Sequence, residues 1–175
     1  KTMQAKERTL VLIKPDAVAR GLIGEIISRF ERVGLKIVGM KMIAPNDEHY
    51  YHHYETIGKV ATRRGKEVFD VNLAFMKEGP VVALVLEGIE AVSLVRKMVG
   101  STEPKAALPG TIRGDYSHIS YGHADNEKIG IPNVVHASGD SEDARQEVPH
   151  WFSESELVEY ESRHEHFTQP KKRKQ

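Results

Sequence analysis

Gly79-Pro-Val-Val-Ala-Leu-Val-Leu86 decides how the fold is read. Six apolar residues follow a Gly-Pro break, apolar at odd and even positions alike, and such a run predicts a central strand covered on both faces. Working outward, Ile89, Val92, Leu94, Val95 and Val99 share a broad side that ends at Gly100, which predicts a helix over 89–99. Upstream, Val68, Phe69, Leu73 and Met76 predict a helix over 66–77, and Asn46 is suited to cap a short helix over 47–53 with an acidic first turn. The stretch 35–44 alternates loosely, yet its β-branched content between Gly34 and Pro45 predicts a strand. Leu22, Ile23, Ile26, Ile27, Phe30 and Val33 recur at helical spacing opposite Glu25, Arg29, Glu31 and Arg32, with Gly34 as the stop. Thr9-Leu-Val-Leu-Ile13 reads as a buried strand that ends before Pro15, which cannot continue a ladder, so Lys14 stands at a strand exit.

Downstream, eight Gly or Pro residues over 100–132 predict a long ordered loop. Asn133-Val-Val-His136 predicts a short strand, followed by a helix capped at Asp140 or Ser141 and carrying Ala144, Val148, Trp151 and Phe152. Pro149 removes one backbone donor from that helix and predicts a bend or break. Ser153-Glu-Ser-Glu156 has the capping-box pattern of a last helix. The order β-α-β, helices, β-α-β predicts an α+β, ferredoxin-like βαββαβ sandwich: a four-stranded antiparallel sheet with helices on its faces. One domain is expected over 7–168, with a flexible start over 1–6 and a basic disordered tail over 169–175.

Composition narrows the function. The 175 residues are 39% hydrophobic and 29% charged, enough for one buried core. Twenty-five Lys plus Arg balance 25 Asp plus Glu, so no whole-molecule field draws the chain to nucleic acid or an anionic membrane. The absence of cysteine excludes a disulfide scaffold, thiol catalysis and Cys-ligated metal centres. The longest apolar run is too short to span a bilayer and the charged start lacks a signal-peptide core, so a cytoplasmic protein is expected.

Neither a P-loop nor a Gly-x-Gly-x-x-Gly cradle is present, so any phosphate site must be made largely of side chains. Lys14, Arg96, Thr102 and Arg113 stand on segments that this topology could bring together, and guanidinium forks suit phosphate oxygens. His136 ends a strand before small Ala137, Ser138 and Gly139. A neutral imidazole near pH 7 is a competent nucleophile, and Glu147, about three helical turns on, could bind the other ring nitrogen and fix the tautomer. His49-x-x-His52-His53 reads as a polar helix face rather than a metal site.

The stretches Arg8-Thr-Leu-Val-Leu-Ile-Lys-Pro-Asp-Ala-Val18, Arg20-Gly-Leu-Ile-Gly-Glu25, Gly79-Pro-Val-Val-Ala-Leu-Val-Leu-Glu-Gly88, Gly110-Thr-Ile-Arg-Gly-Asp115 and Asn133-Val-Val-His-Ala-Ser138 together make the chain resemble the nucleoside diphosphate kinases. The resemblance implies ping-pong transfer of a γ-phosphoryl group from a nucleoside triphosphate to a diphosphate through a phosphohistidine on His136. It implies that Lys14, Arg96, Thr102 and Arg113 hold phosphates, that Asn133 meets the sugar, and that Tyr54, Ser138 and Glu147 support Lys14 or the histidine. The base would stack on Val68 or Phe69, without regard to its identity. Mg2+ would ride on the phosphates of ATP or another triphosphate rather than in a protein cage. The resemblance further implies self-assembly, hexamers ahead of tetramers, with Pro104 and Pro109 bracketing a contact loop, and no partnership with nucleic acid or membrane. A catalytically inactive nucleotide-binding regulatory or scaffold module on the same fold is the alternative. Two segments, 57–67 and 121–132, are longer than the family's usual pattern and flank the expected nucleotide entrance.

Overall fold

The computed structural model describes residues 6–168. The basic tail and all of the expected flexible start except Lys6 lie outside the described residues; Lys6 already belongs to the first strand. Strands β1 (Lys6–Ile13), β2 (Lys36–Ile43), β3 (Val81–Ile89) and β4 (Val135–Ala137) form one sheet in the order β2-β3-β1-β4, with every neighbouring pair antiparallel. This is the α+β, ferredoxin-like arrangement.

The period-2 alternation of the strands divides the core in two. Val11, Ile13, Val82, Leu84 and Leu86 pack with Ile26 and Phe30 of α2 (Ile23–Arg32) and with Val95 and Val99 of α6 (Ala91–Val99). Leu10, Leu12, Val81, Ala83 and Val85 pack on the opposite face with Tyr50 of α3 (Asp47–Tyr51), Phe75 and Met76 of α5 (Lys66–Met76), and Val148 and Trp151 of α9 (Ser141–Trp151). Helices on both faces explain why β3 is apolar at consecutive positions.

Several local expectations are corrected. The loose alternation of β2 is a bulge: the pairing register slips between Ile37 and Gly39, so that Gly39 and Ile43 join Val38 on the face of the second core cluster. Pro15 opens a short helix, α1 (Pro15–Ala19), where its missing N–H costs nothing. Ile89 ends β3 opposite Lys6 rather than starting α6. The expected loop over 100–132 contains α7 (Ile112–Tyr116) and α8 (Tyr121–Glu127), capped by Thr111 and Ser120 side chains, and α4 (Val60–Arg64) precedes α5. Helix α9 runs past Pro149 to Trp151, which is buried and anchors that end. The capping box at Ser153 is present, but it opens only one 3-10 turn, Glu154–Glu156. The chain then crosses β2, where the Val158 N–H donates to the Val38 carbonyl at 2.8 Å, before α10 (Arg163–Thr168).

Candidate active site

Strands β1 and β4 end side by side, Leu12 opposite His136, and this register sets the site. Lys14, one residue beyond β1, donates its N–H to the Val134 carbonyl at 2.9 Å. Its ammonium is buried and donates to Asn133 Oδ1 at 2.8 Å. Burial, and then the Arg113 charge, hold the Lys14 pKa down to about 7, against the pull of Asp16. Asp16, which the sequence reading did not single out, accepts from the Val134 N–H at 3.1 Å.

Val134 is buried with φ at 63°, a strained conformation for a β-branched residue. The Val135 N–H closes this tight turn on the Asn133 carbonyl at 2.8 Å. Arg113 locks it from behind, donating from Nε to the Asn133 carbonyl at 3.2 Å, from Nη2 to the Val135 carbonyl at 2.6 Å and from Nη1 to the Gly100 carbonyl at 3.1 Å. Two of its five N–H groups remain for a ligand. Burial, with the Arg96 charge adding to it, lowers the Arg113 pKa to about 10. Gly100, at φ 85°, is required here because a Cβ would lie 2.6 Å from Thr111 Oγ1. Asn133 Nδ2 donates to the Thr102 carbonyl at 2.8 Å, and Arg96 reaches the Ala137 carbonyl at 3.5 Å.

His136 Nε2 lies 3.1 and 3.2 Å from the two Glu147 oxygens. Ser138 Oγ donates to Glu147 Oε2 at 2.6 Å and accepts the Leu10 N–H at 3.2 Å. Burial opposes ionisation of Glu147, but His136, His53 and the Ser138 hydroxyl together outweigh it and the pKa falls to about 2. An anionic Glu147 assigns the imidazole proton to Nε2 and leaves the Nδ1 lone pair unprotonated. Tyr54 sits in a π-helical stretch, His52–Ile57, with its ring centroid 6.3 Å from that of His136. Burial drives its phenol well above the ordinary range, so it stays a donor. It makes no hydrogen bond to Lys14 among the described residues.

Lys14, Tyr54, Arg113, Asn133, His136 and Glu147 line a cleft of about 350 Å3 with Arg96, Thr102 and Val68, while Ser138 lies behind Glu147 and outside the lining. Phe69 does not line it. That ring is buried in the core, edge-on to Tyr51 at 5.7 Å, because consecutive helical residues point about 100° apart and, of the two, it is Val68 that faces the opening, together with Val71 and Asn72. The sequence reading of the histidines is also corrected: His53 is buried, its ring edge-on to His136 at 4.6 Å, and its Nδ1 accepts from Trp151 Nε1 at 3.0 Å. His49 stacks on His150 at 4.0 Å. The partner that buries His53 is 98 positions away in the sequence, so no local signal pointed to it.

His53, His136 and Glu147 are the one group of three metal-type side chains found close together among the described residues. Two nitrogen donors, one lone pair already taken by Trp151, do not suit Mg2+, which demands oxygen ligands. The carboxylates that line the cleft, Asp125, Asp143 and Glu147, form no cluster of metal-ligand spacing among the described residues, and its remaining polar lining is mostly cations and neutral donors, which suits a Mg2+ held by phosphates.

The family description "Nucleoside diphosphate kinase" matches residues 7–157. A nucleoside diphosphate kinase of Pyrococcus furiosus is 51% identical over 158 residues, 90% of each chain. A solved nucleoside-diphosphate kinase of Borrelia burgdorferi, a transition-state mimic with bound vanadate and ADP, superposes with a TM-score of 0.88 at 42% identity, over 91% of this chain and 95% of that one. A Halobacterium salinarum nucleoside diphosphate kinase in complex with CDP gives 0.79 at 38% identity, over 93% and 98%. With fold, sequence and the pairing of His136 with buried Glu147 in agreement, the chain belongs to the nucleoside diphosphate kinase family.

Proposed function

We propose that this nucleoside diphosphate kinase works through a phosphohistidine on His136, and the contact between His136 Nε2 and Glu147 carries the reading. It supports Nδ1 as the nucleophile. In the first half-reaction the Nδ1 lone pair forms a bond to the γ-phosphorus while the bond to the bridging oxygen breaks and its electrons leave with the nucleoside diphosphate. In the second, a terminal oxygen of another diphosphate takes the phosphoryl group and the N–P bond breaks. Neither half needs a proton from the protein, so catalysis rests on positioning and charge neutralisation. Lys14, Arg96, Thr102 and the two spare N–H groups of Arg113 take the phosphates; Asn133 meets the sugar; Val68 supports the base, and an aliphatic wall supports indifference to base identity. Mg2+, carried in with the nucleotide rather than held by protein ligands, would neutralise charge that develops on the phosphates, beside Lys14, Arg96 and Arg113. The retained Ser138–Glu147–His136 chain speaks against an inactive module.

We further infer self-assembly, hexamers ahead of tetramers, and a cytoplasmic setting. The edge strand β2 exposes Met40 and Met42, which supports a contact between copies. Light scattering that returns a monomer mass would remove that inference. No helix among the described residues is long and apolar enough to cross a membrane.

The test is incubation with γ-labelled ATP and magnesium. Acid-labile, base-stable label is expected on His136, discharged alike by GDP and CDP. A wild-type protein that binds ATP without labelling refutes the reading.

A further inference from the structure

Three imidazoles that the phosphoryl relay does not use meet where α3 and the π-helical stretch pack against the end of α9. His49 of α3 and His52, the first residue of the π-helical stretch, are three positions apart and share one side of the chain. His150 of α9 lies against both, its ring stacked on His49 with centroids 4.0 Å apart and tilted on His52 at 4.3 Å. His150 Nε2 lies 3.0 Å from the His49 carbonyl, which can only accept, so that nitrogen carries the proton. His49 Nε2 is buried with no hydrogen-bond partner among the described residues, and its ring meets Trp151 edge-on at 4.4 Å. The stack adjoins the site on both of its elements. His53 follows His52, Trp151 follows His150, the two are hydrogen-bonded, and Glu147 stands one turn before His150.

We propose that His49, His52 and His150 form a pH-sensitive clasp, closed while the rings are neutral and opened by acid, which holds the π-helical stretch against the end of α9 and so keeps His53 and Glu147 in place beside His136. Its effect on turnover rests on the reading of His136 as the phosphoryl carrier; its effect on stability does not. An isolated imidazole takes up a proton near pH 6.5, but rings about 4 Å apart repel one another once charged, and a proton on His49 Nε2 would bury a charge without a partner. Lys41 of β2 adds positive charge against His49, whereas Glu147 and the His49 carbonyl favour a charge on His150. The other nearby charges are already paired, Lys41 with Glu156 at 2.8 Å and Asp47 of α3 with Lys77 at 2.6 Å. Burial, then the charges of His150, Lys41 and His52, hold the His49 pKa down to about 4, and burial lowers that of His150. Between about pH 6.5 and pH 4 the unfolded chain therefore binds more protons, so stability is lost as pH falls through that window. Buried His53 acts in the same direction.

The test compares wild type with His150→Phe, which keeps a ring that cannot charge, and with His52→Gln at an exposed position. Urea midpoints, emission of Trp151, the one tryptophan of the chain, and the rate of labelling of His136 are followed from pH 7.5 to pH 5. The wild-type midpoint is expected to fall by about 1 M, with a red shift of the indole emission as the clasp opens. His150→Phe should lose about half as much, with His52→Gln between the two. The labelling rate at pH 5.5, taken relative to pH 7.5, should be about threefold higher in His150→Phe than in wild type, since titration of the other groups is common to both proteins. A wild-type midpoint and emission that stay constant from pH 7.5 to pH 5, or a fall that both variants reproduce in full, overturns the clasp. If His150→Phe does not fold, His52→Gln alone decides. Wild type that never labels, with a midpoint fall that the variants flatten, refutes the kinase mechanism and keeps the clasp.

Discussion

At the floor of the cleft, Arg113 is 3% exposed and directs three donors at three backbone carbonyls; at its mouth, Arg64 is exposed and rests over one tyrosine ring. The floor grows out of the ends of β1 and β4, so each functional group there also holds the backbone. Lys14, Asn133 and Arg113 form one network around the strained turn at Val134. The mouth is made of short helices between core elements, tied by a few side-chain contacts such as Glu55 to Ala61 and Thr62 and Glu103 to Tyr121. A site of this kind separates chemistry, which tolerates little movement, from access, which needs some.

The largest expected effect breaks the floor at its reacting atom. His136→Ala should abolish turnover and labelling while leaving the fold intact, checked by single-turnover assay and circular dichroism. An active His136→Ala protein would equate floor and mouth as binding surfaces. Next, Arg113→Lys keeps the charge but cannot serve three carbonyls at once, so it should lower turnover about 10²-fold and stability by about 2 kcal/mol, read from steady-state kinetics and urea melts. If only KM moves, the backbone bonds of Arg113 are incidental.

Lys14 sharpens the comparison through pH. Its pKa is about 7 in the folded chain and about 10.4 in the unfolded one, so between these values the unfolded state binds more protons. Stability should therefore rise with pH across that window as far as Lys14 contributes, and Lys14→Met should flatten the rise. Urea midpoints at pH 6.5 and 9 decide this. By the same logic, nucleotide binding at pH 8 should draw a proton onto Lys14, seen as a buffer-dependent heat in calorimetry. A heat that is the same in every buffer argues that Lys14 is already charged. The smallest effect belongs to the mouth: Glu55→Gln should loosen α4 with a fall in Tm of only about 2 °C and about a twofold rise in KM. A global loss of stability would mean that α4 is part of the core.

Much of this was legible in the chain. The apolar run over 81–86 and the helical spacing over 22–33 report burial directly, because periodicity records which side of an element faces the core. His136, Glu147, Lys14 and Arg113 stood out because residue type limits chemistry, and five motif stretches in the family's order tie them together. Other features were hidden. Pro15 read as the end of a strand without revealing the helix it begins. Phe69 and Val68 were equal candidates for the base until the packing of α5 turned one into the core and the other toward the cleft.

Sequence alone thus determined the order of the four strands and of the helices α2, α3, α5, α6 and α9, the absence of any Gly-rich phosphate cradle, and the residues able to carry a phosphoryl relay. Tertiary structure decided which nitrogen of His136 keeps its proton, that Arg113 donates to three backbone carbonyls, that His53 is buried against Trp151, and that Arg64 meets Tyr121. The physical reason is common to all four. Hydrogen-bond direction, burial and ring contact depend on groups brought together from distant parts of the chain, and no local pattern of residues encodes where those partners will stand.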